Sequence, residues 1–285
     1  HLPAQLHAQS TQIDWNHSWN YMHPTAGALP AGSGTTTPHP DGTTPWYASA
    51  ANFSTYSGPS FSTGDVGFQA GAGVAPIGYG PINYMTTPDP APGAFSAFGT
   101  VLTTPTSGER FATYFRTTFT VPNDGQFYIT PQIRYVLDDG GFIYLDGEPI
   151  LRVNTAAAVL DEYLTFSAGT ANTEEPIRTA DLSLPVGSTT GGNSVVDPAI
   201  GGNAVVLKSI GRLTPGVHTL AMSLRNNNAT SSDMILAVKL QSTATNCLIT
   251  GTASNSTRDT KNTPANAADD TISTNVTVTP EGTVS

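Results

Sequence analysis

Apolar and polar residues alternate with a period of two through the middle of the chain. In residues 113–121 the apolar side chains share one parity and most polar ones take the other. That alternation is typical of a β-strand that buries one face. The same pattern, or a short apolar run, recurs further along and predicts strands over residues 113–121, 127–137, 142–145, 149–153, 204–209, 218–224 and 234–240.

Short turn sequences separate these predicted strands. Asn-Asp-Gly at 123–125 predicts a hairpin between the first two strands, and Asp-Gly at 146–147 predicts a tight turn further on. Thr-Pro-Gly at 214–216 leads into the strand that follows it, and no segment between strands has helical periodicity. Antiparallel strands joined in this way predict an all-β fold, an antiparallel β-sandwich or jelly roll with long loops and an extended C-terminal strand.

The flanking regions lack this alternation, and the chain is therefore expected to have three parts. Residues 1–74 predict a loop-rich N-terminal region packed on the sandwich, residues 75–243 the sandwich, and residues 244–285 a polar linker with the C-terminal extended strand. In that strand, residues 271–279, three apolar residues share a parity: Ile272, Val276 and Val278. No hairpin partner follows it, so we expect a lone strand whose backbone needs a sheet edge elsewhere.

Composition narrows the class of protein. Charged residues make up 11% of the chain, against roughly 25% in an ordinary soluble protein. The formal net charge is -10 with 11 basic residues, which argues against nucleic acid as a partner because a polyanion is held by Lys and Arg. The single cysteine, Cys247, allows no intrachain disulfide, and no apolar run reaches the ~20 residues of a membrane helix. These features favour a secreted or cell-surface protein without membrane insertion.

Four blocks of sequence carry a family resemblance. In order they are FATYFRTTFTV at 111–121, LDDGGFIYLDGE at 137–148, LTPGVHTLAMSLRN at 213–226 and SSDMILAVKL at 231–240. Together they resemble the galactose-binding-like jelly-roll modules of large secreted bacterial proteins, and the resemblance covers about residues 75–241. The DDG…YLDG stretch is also similar to the sugar-binding PA14 domain. The resemblance implies a fold more strongly than a function, because this sandwich supports many functions.

Three carboxylates are the candidates for a metal site. Asp138 and Asp139 are adjacent, and Asp146 lies one predicted strand further on. Adjacent carboxylates repel unless a cation neutralises them, and Ca²⁺ takes six to eight oxygen ligands. The resemblance to PA14-like lectins implies that Asp138 and Asp139 hold a Ca²⁺ that in turn binds sugar hydroxyls. The alternative is that Asp-Asp-Gly forms a turn whose side chains bind backbone amides.

Tryptophans are the candidates for carbohydrate binding. Trp15, Trp19 and Trp46 would stack on pyranose rings if their indoles were flat and accessible. The alternative is that they anchor the N-terminal region to the sandwich.

Catalytic motifs are not apparent in the sequence. It has no nucleophile elbow, no Ser-His-Asp order and no metal-hydrolase spacing. His218 shares its parity with Leu220 and Met222, which predicts a buried or rim histidine. We therefore expect a protein that is not an enzyme and has no catalytic cofactor.

Two functions fit these observations best. The first is a non-catalytic extracellular structural or adhesive subunit that self-associates into a filament by β-strand addition between copies, stiffened by Ca²⁺. The strand donated would be the one that carries Ile272, Val276 and Val278. The alternative is a carbohydrate-binding module of a larger secreted enzyme, with a polysaccharide as its partner. The tail as the first strand of a further domain would explain the lone strand equally well.

Overall fold

The computed structural model describes residues 8–24, 47, 68–81, 97–105, 112–155, 167, 177–190, 204–246, 252–259 and 271–277. These ranges contain seventeen β-strands and no helix, so none of them holds a helix that could cross a membrane. In chain order the strands are β1 (Ala8–Ile13), β2 (Ser18–Pro24), β3 (Phe68–Val74), β4 (Ile77–Tyr79), β5 (Thr100–Val101), β6 (Ala112–Val121), β7 (Phe127–Asp138), β8 (Gly140–Leu145), β9 (Glu148–Val153), β10 (Arg178–Asp181), β11 (Thr189–Thr190), β12 (Ala204–Val206), β13 (Arg212–Leu213), β14 (Gly216–Arg225), β15 (Met234–Thr245), β16 (Thr252–Asp259) and β17 (Thr271–Thr277).

Two large sheets pack as a sandwich, which confirms the predicted all-β class. The seven-stranded sheet has the order β10-β7-β15-β4-β5, with β1 also paired to β15 and β13 to β7. The eight-stranded sheet has the order β11-β12-β9-β8-β14-β6-β2-β3. Pairing is antiparallel throughout, except that β4 and β5 run parallel.

The alternation predicted β6, β7, β14 and β15 correctly. On β6, three apolar residues of one parity, Phe115, Phe119 and Val121, lie in the core between the sheets, while Thr118 and Thr120 of the other parity are exposed. A strand with one face in the core and the other toward solvent produces this period-two pattern.

The turn after β6 is not a hairpin, and that prediction is wrong. The turn itself forms, because Gly125 has a φ of 79° and Asp124 Oδ1 accepts the Gln126 N–H at 3.0 Å. However, β6 is already paired along both edges, to β14 over ten residue pairs and to β2. The chain therefore passes to the opposite sheet, where β7 pairs with β15.

Three strands come from the N-terminal region, where the sequence pattern did not reveal them. β1 pairs with β15 of the seven-stranded sheet, and β2 lies between β6 and β3 of the eight-stranded sheet. β2 is buried on both faces: Trp19 and Tyr21 join the main core, whereas Met22 packs in a cluster on the opposite face. The apolar Met22 on the second face interrupts the alternation of Trp19 and Tyr21 with polar residues, so the period-two signal of β2 is weak.

The C-terminal strand has a partner, so the prediction of a lone strand is wrong. β17 pairs antiparallel with β16, with Ile272 opposite Arg258 and Val276 opposite Ala253. β16 reads TASNSTRD and lacks apolar alternation, which is why its sequence suggested a linker. Among the described strands, this two-stranded sheet is hydrogen-bonded to neither sheet of the sandwich.

Candidate functional site

The Asp138–Asp139 pair lies where the chain crosses from β7 in one sheet to β8 in the other. Both residues are buried, at 6% and 4% exposure. Asp139 is bonded to its surroundings in three ways: its N–H donates to the Arg225 carbonyl at 3.1 Å, its Oδ2 accepts the Asn227 N–H at 2.6 Å, and its carbonyl accepts Asn154 Nδ2–H at 3.0 Å. The Asp139 carboxylate thus binds a backbone amide, as the turn interpretation expects, and ties this crossing to the end of β14.

The surroundings of this crossing are polar and closely packed. The Asn226 side-chain amide donates to the Tyr79 hydroxyl at 3.0 Å, and the Asn226 backbone carbonyl accepts the Ser167 N–H at 3.0 Å. Gly141 is required here for close approach, because a Cβ at this position would overlap the carbonyl of Ser223 on β14. The glycines after the two aspartates therefore let β8 pack beside its neighbours.

Asp146 lies at the other end of β8, away from the aspartate pair. At about 3.3 Å per residue, β8 separates Asp139 from Asp146 by roughly 20 Å. The structure therefore does not bring the three predicted metal ligands together. In the ranges that the structure describes, no group of three or more His, Cys, Asp or Glu residues is arranged to hold a metal ion. Calcium binding stays a prediction.

Asp146 instead pairs with His218 across the β8–β14 ladder. His218 Nδ1 lies 2.6 Å from Asp146 Oδ2, and His218 Nε2 lies 2.7 Å from the Thr214 carbonyl oxygen. Both ring nitrogens face acceptors, an arrangement that favours the doubly protonated imidazolium. The other carboxylate oxygen accepts the Thr219 N–H at 2.8 Å. Phe119 stacks on the imidazole with ring centroids 5.3 Å apart.

The pKa values of this pair move apart. The hydrogen bond to Asp146 raises the pKa of His218, and burial opposes it. Burial alone would raise the pKa of Asp146, but hydrogen bonds from His218 and the Thr219 amide outweigh it, and the pKa is lowered. The arrangement is a charged clamp that joins the β8–β9 turn to the start of β14. As predicted for His218, the residue is buried.

A second buried histidine, His23 on β2, has the opposite character. Its Nε2–H donates to the Thr103 carbonyl at 2.7 Å, and its Nδ1 accepts the Thr113 hydroxyl proton at 2.8 Å. Burial lowers its pKa to about 4, although the Thr103 carbonyl acts the other way. His23 is therefore a neutral structural histidine at neutral pH. The alternation of apolar and polar residues along the sequence did not predict this buried histidine.

The tryptophans are anchors wherever the structure describes them. Trp15 is 8% exposed and Trp19 is 1% exposed, so neither presents an open indole face to a sugar ring. Trp19 belongs to the main core, and Trp15 packs in a cluster with Val136 and Ile235 on the other side of the seven-stranded sheet. Trp46 lies outside the described residues. For Trp15 and Trp19 this burial favours the anchoring interpretation over carbohydrate stacking.

The residues predicted for strand donation lie at the C-terminal hairpin. Ile272 and Val276 are in β17, four residues apart and on the same parity. Val278 lies outside the described residues. Ile272 and Val276 belong to a strand, and that strand is one half of a two-stranded sheet.

Comparisons with known proteins identify no family for this chain, so its class is defined by its architecture. The chain matches no protein-family model, no curated protein and no solved structure. What the structure shows is an all-β protein with two largely antiparallel sheets packed as a sandwich. The galactose-binding-like family stays a prediction from the four sequence blocks.

Proposed function

We propose that this chain is a secreted, non-catalytic structural or adhesive subunit that assembles into filaments by β-strand addition between copies. The observation that carries the proposal is the C-terminal sheet. β16 and β17 pair only with each other among the described strands. A two-stranded sheet is marginally stable in water, and each of its strands keeps one row of unpaired backbone groups. Pairing with a third strand satisfies such a row.

The sequence of β17 suits it to pairing with a strand from another copy. TISTNVT contains no charged residue, no proline and no glycine, and it is rich in β-branched residues. Proteins usually protect an edge from another chain with charged residues, proline or bulges. β17 has no charged residue and no proline. Ile272 and Val276 on one parity would give the added strand an apolar face.

The polar groups described in the sandwich support a non-catalytic role. The Asp139 carboxylate binds a backbone amide, and Asp146 and His218 bind each other. His23 is buried and bound on both ring nitrogens. All four hold strands and turns together. The alternative, a carbohydrate-binding module, loses Trp15 and Trp19 as sugar platforms, because both are buried.

A donated strand at one place and an acceptor edge at another make a head-to-tail contact. Such a contact is heterologous, and it produces an open filament whenever the rotation between copies does not close a ring. We therefore expect a filament rather than a dimer. Negative-stain electron microscopy of the intact chain over a range of concentrations tests this. Regular filaments are expected; dispersed particles of 29.6 kDa at every concentration would overturn the proposal.

A matched pair of variants links the filament to β17. Ile272→Asp with Val276→Asp places two charges on the apolar parity, and we expect it to abolish the filaments. Ser273→Asp with Asn275→Asp adds the same charge to the same strand on the other parity and should leave assembly largely intact. Equal loss in both variants would assign the effect to charge alone and not to an apolar face. A chelator arm on the wild-type chain tests the calcium prediction separately: filaments that fray would support it.

A further inference from the structure

Among the described strands, β3 has the longest regular edge that pairs with no further strand. β3 ends the eight-stranded sheet and pairs with β2 over seven consecutive residue pairs, from Ser18↔Val74 to Pro24↔Phe68, without a register shift. The other outer strands are shorter or irregular. β5, β11 and β13 have two residues each and β10 has four, and β1 has six with a register shift between Thr11 and Ile13.

The backbone of β3 shows which of its groups face away from β2. In an antiparallel strand, alternate residues direct both N–H and C=O toward one neighbour and the residues between them direct theirs to the other side. The Ala75 N–H donates to the His17 carbonyl just before β2, whereas the N–H and C=O of Val74 both meet the Thr100 hydroxyl, at 2.8 and 3.0 Å. By alternation, Ala72 and Ala70 also direct their backbone groups outward.

Thr100 caps one end of this edge, and among the described residues no other partner meets the rest of it. The Thr100 hydroxyl accepts from Val74 N–H and donates to Val74 C=O, as a neighbouring strand would. No corresponding partner meets the outward backbone groups of Ala72 among the described residues, and Ala72 is exposed. Three devices that often protect an edge are absent from β3, since FQAGAGV contains no charge and no proline and its pairing with β2 has no bulge.

Neighbouring side chains already fill the space beside the two glycines of β3. A Cβ at Gly71 would overlap the Tyr21 ring, which lies over that glycine from the neighbouring strand, and a Cβ at Gly73 would overlap Thr100. An aromatic ring that covers an edge glycine in this way stabilises the strand without a further neighbour. Contacts that hold the edge in place before an added strand arrives would lower the entropy cost of binding.

We propose that β3 is the acceptor edge for strand addition, and that its occupant is β17 of a second copy of this chain. The two strands match in length, at seven residues each, and neither has a charge or a proline. Contact begins at the outward groups of Ala72 and Ala70 and ends before Val74, where Thr100 holds the backbone. This inference rests on the proposed filament function and adds to it the surface that receives the strand.

Crosslinking in the intact chain tests the acceptor. A photoreactive amino acid replaces Val276, isotopically light and heavy copies are mixed under assembling conditions, and crosslinks between a light and a heavy copy are located by mass spectrometry. Crosslinks within Phe68–Val74 are the expected result. Crosslinks to β1, β10 or another strand would overturn β3 as the acceptor but leave strand addition standing. A complete lack of crosslinks between copies, together with a monomer in solution, would overturn both.

Ala72→Pro provides an independent measurement. Proline removes the outward N–H of Ala72 and its ring obstructs an approaching strand, while an outward-facing edge position tolerates proline within the fold. We expect at least about a tenfold loss of assembled copies by analytical ultracentrifugation, since one backbone donor and the approach of the strand are lost together. Ala72→Ser keeps the donor and should assemble like the wild type. Unchanged assembly by Ala72→Pro, with a wild-type circular dichroism spectrum, would overturn the acceptor assignment.

Discussion

His23 and His218 lie on the two strands that flank β6, and they differ in charge although both are buried. His23 on β2 contacts Thr113 at the start of β6, and His218 on β14 stacks on Phe119 near its end. Each ring has one carbonyl acceptor. The second partner is a hydroxyl for His23 and a carboxylate for His218. The second partner of each ring, a hydroxyl or a carboxylate, therefore decides whether the ring favours the neutral or the protonated form. Burial alone does not decide it.

The two histidines affect stability with opposite signs of pH dependence. The pKa of His23 in the folded chain, about 4, is below its ordinary value of 6.5, so its contribution is present above 6.5 and is lost as the pH falls toward 4. The pKa of His218 is raised, so its contribution is present below 6.5 and is lost as the pH rises through the folded value. Asp146 has a lowered pKa, and its contribution is lost only as the pH falls below 3.8.

The largest expected effect concerns His23. A shift from 6.5 to about 4 corresponds to about 3 kcal/mol of stability lost between those pH values. In His23→Gln the titrating group is absent, so we expect its free energy of unfolding to fall by about 3 kcal/mol less than that of the wild type over the same interval. Urea unfolding at a series of pH values measures both curves.

A second variant serves as the control for that comparison. His17 also has a pKa lowered by burial, but it is only partly buried, and His17→Gln should flatten the acid limb less than His23→Gln does. Parallel curves for the wild type and His23→Gln would show that the pKa of His23 is the same in the folded and unfolded chain and would contradict its lowering by burial.

A comparison of β6 with β2 shows how far the sequence could predict the fold. The C-terminal end of β6 was predictable, because Phe119 and Val121 lie in the core and alternate with the exposed Thr118 and Thr120. β2 was not, because Trp19 and Met22 are buried on opposite faces and the alternation disappears. The prediction of a hairpin after β6 was wrong for a different reason. A turn sequence determines a local bend, but it does not determine which sheet the next strand joins.

The candidate sites needed tertiary information for a similar reason. The burial of His218 could be predicted from parity, but its partner Asp146 is 72 residues away and is reached only through the register of β8 on β14, in which Leu220 is opposite Leu145. The sequence placed Asp146 with Asp138 and Asp139 because they are near in number. The six residues of β8 lie between Asp139 and Asp146 and place them at opposite ends of that strand.

The next expected effect concerns the carboxylate that charges His218. Asp146→Asn keeps an oxygen for the Thr219 amide but removes the anion, so the pKa of His218 should fall toward or below its ordinary value. Because the Asp146 side chain is 41% exposed, solvent screens the pair, and we expect a loss of about 1 kcal/mol at mildly acidic pH. NMR titration of the His218 ring, with urea unfolding below and above the pKa, measures both. The difference between the two proteins should shrink as the pH rises.

Glu148→Gln is the matched control for this prediction. Glu148 lies just past the same turn and contacts Lys208 at 3.7 Å. Removing its charge should leave the His218 titration almost unchanged. If Glu148→Gln lowered the pKa of His218 as much as Asp146→Asn, the general negative charge of the turn would be the cause, and the direct hydrogen bond would not.

The smallest expected effect concerns Lys208, which lowers the pKa of Asp146 through space. The Lys208 side chain is 51% exposed and that of its partner Glu148 is 62% exposed, so water and salt screen its charge. For Lys208→Met we expect a change of at most about 0.5 kcal/mol in the free energy of unfolding, and a smaller one at high salt. Urea unfolding at low and high ionic strength measures it. A loss above about 1 kcal/mol that salt did not reduce would mean that the clamp depends on Lys208 as well. The contrast with His23 would then be between a single buried contact and a network of three charges.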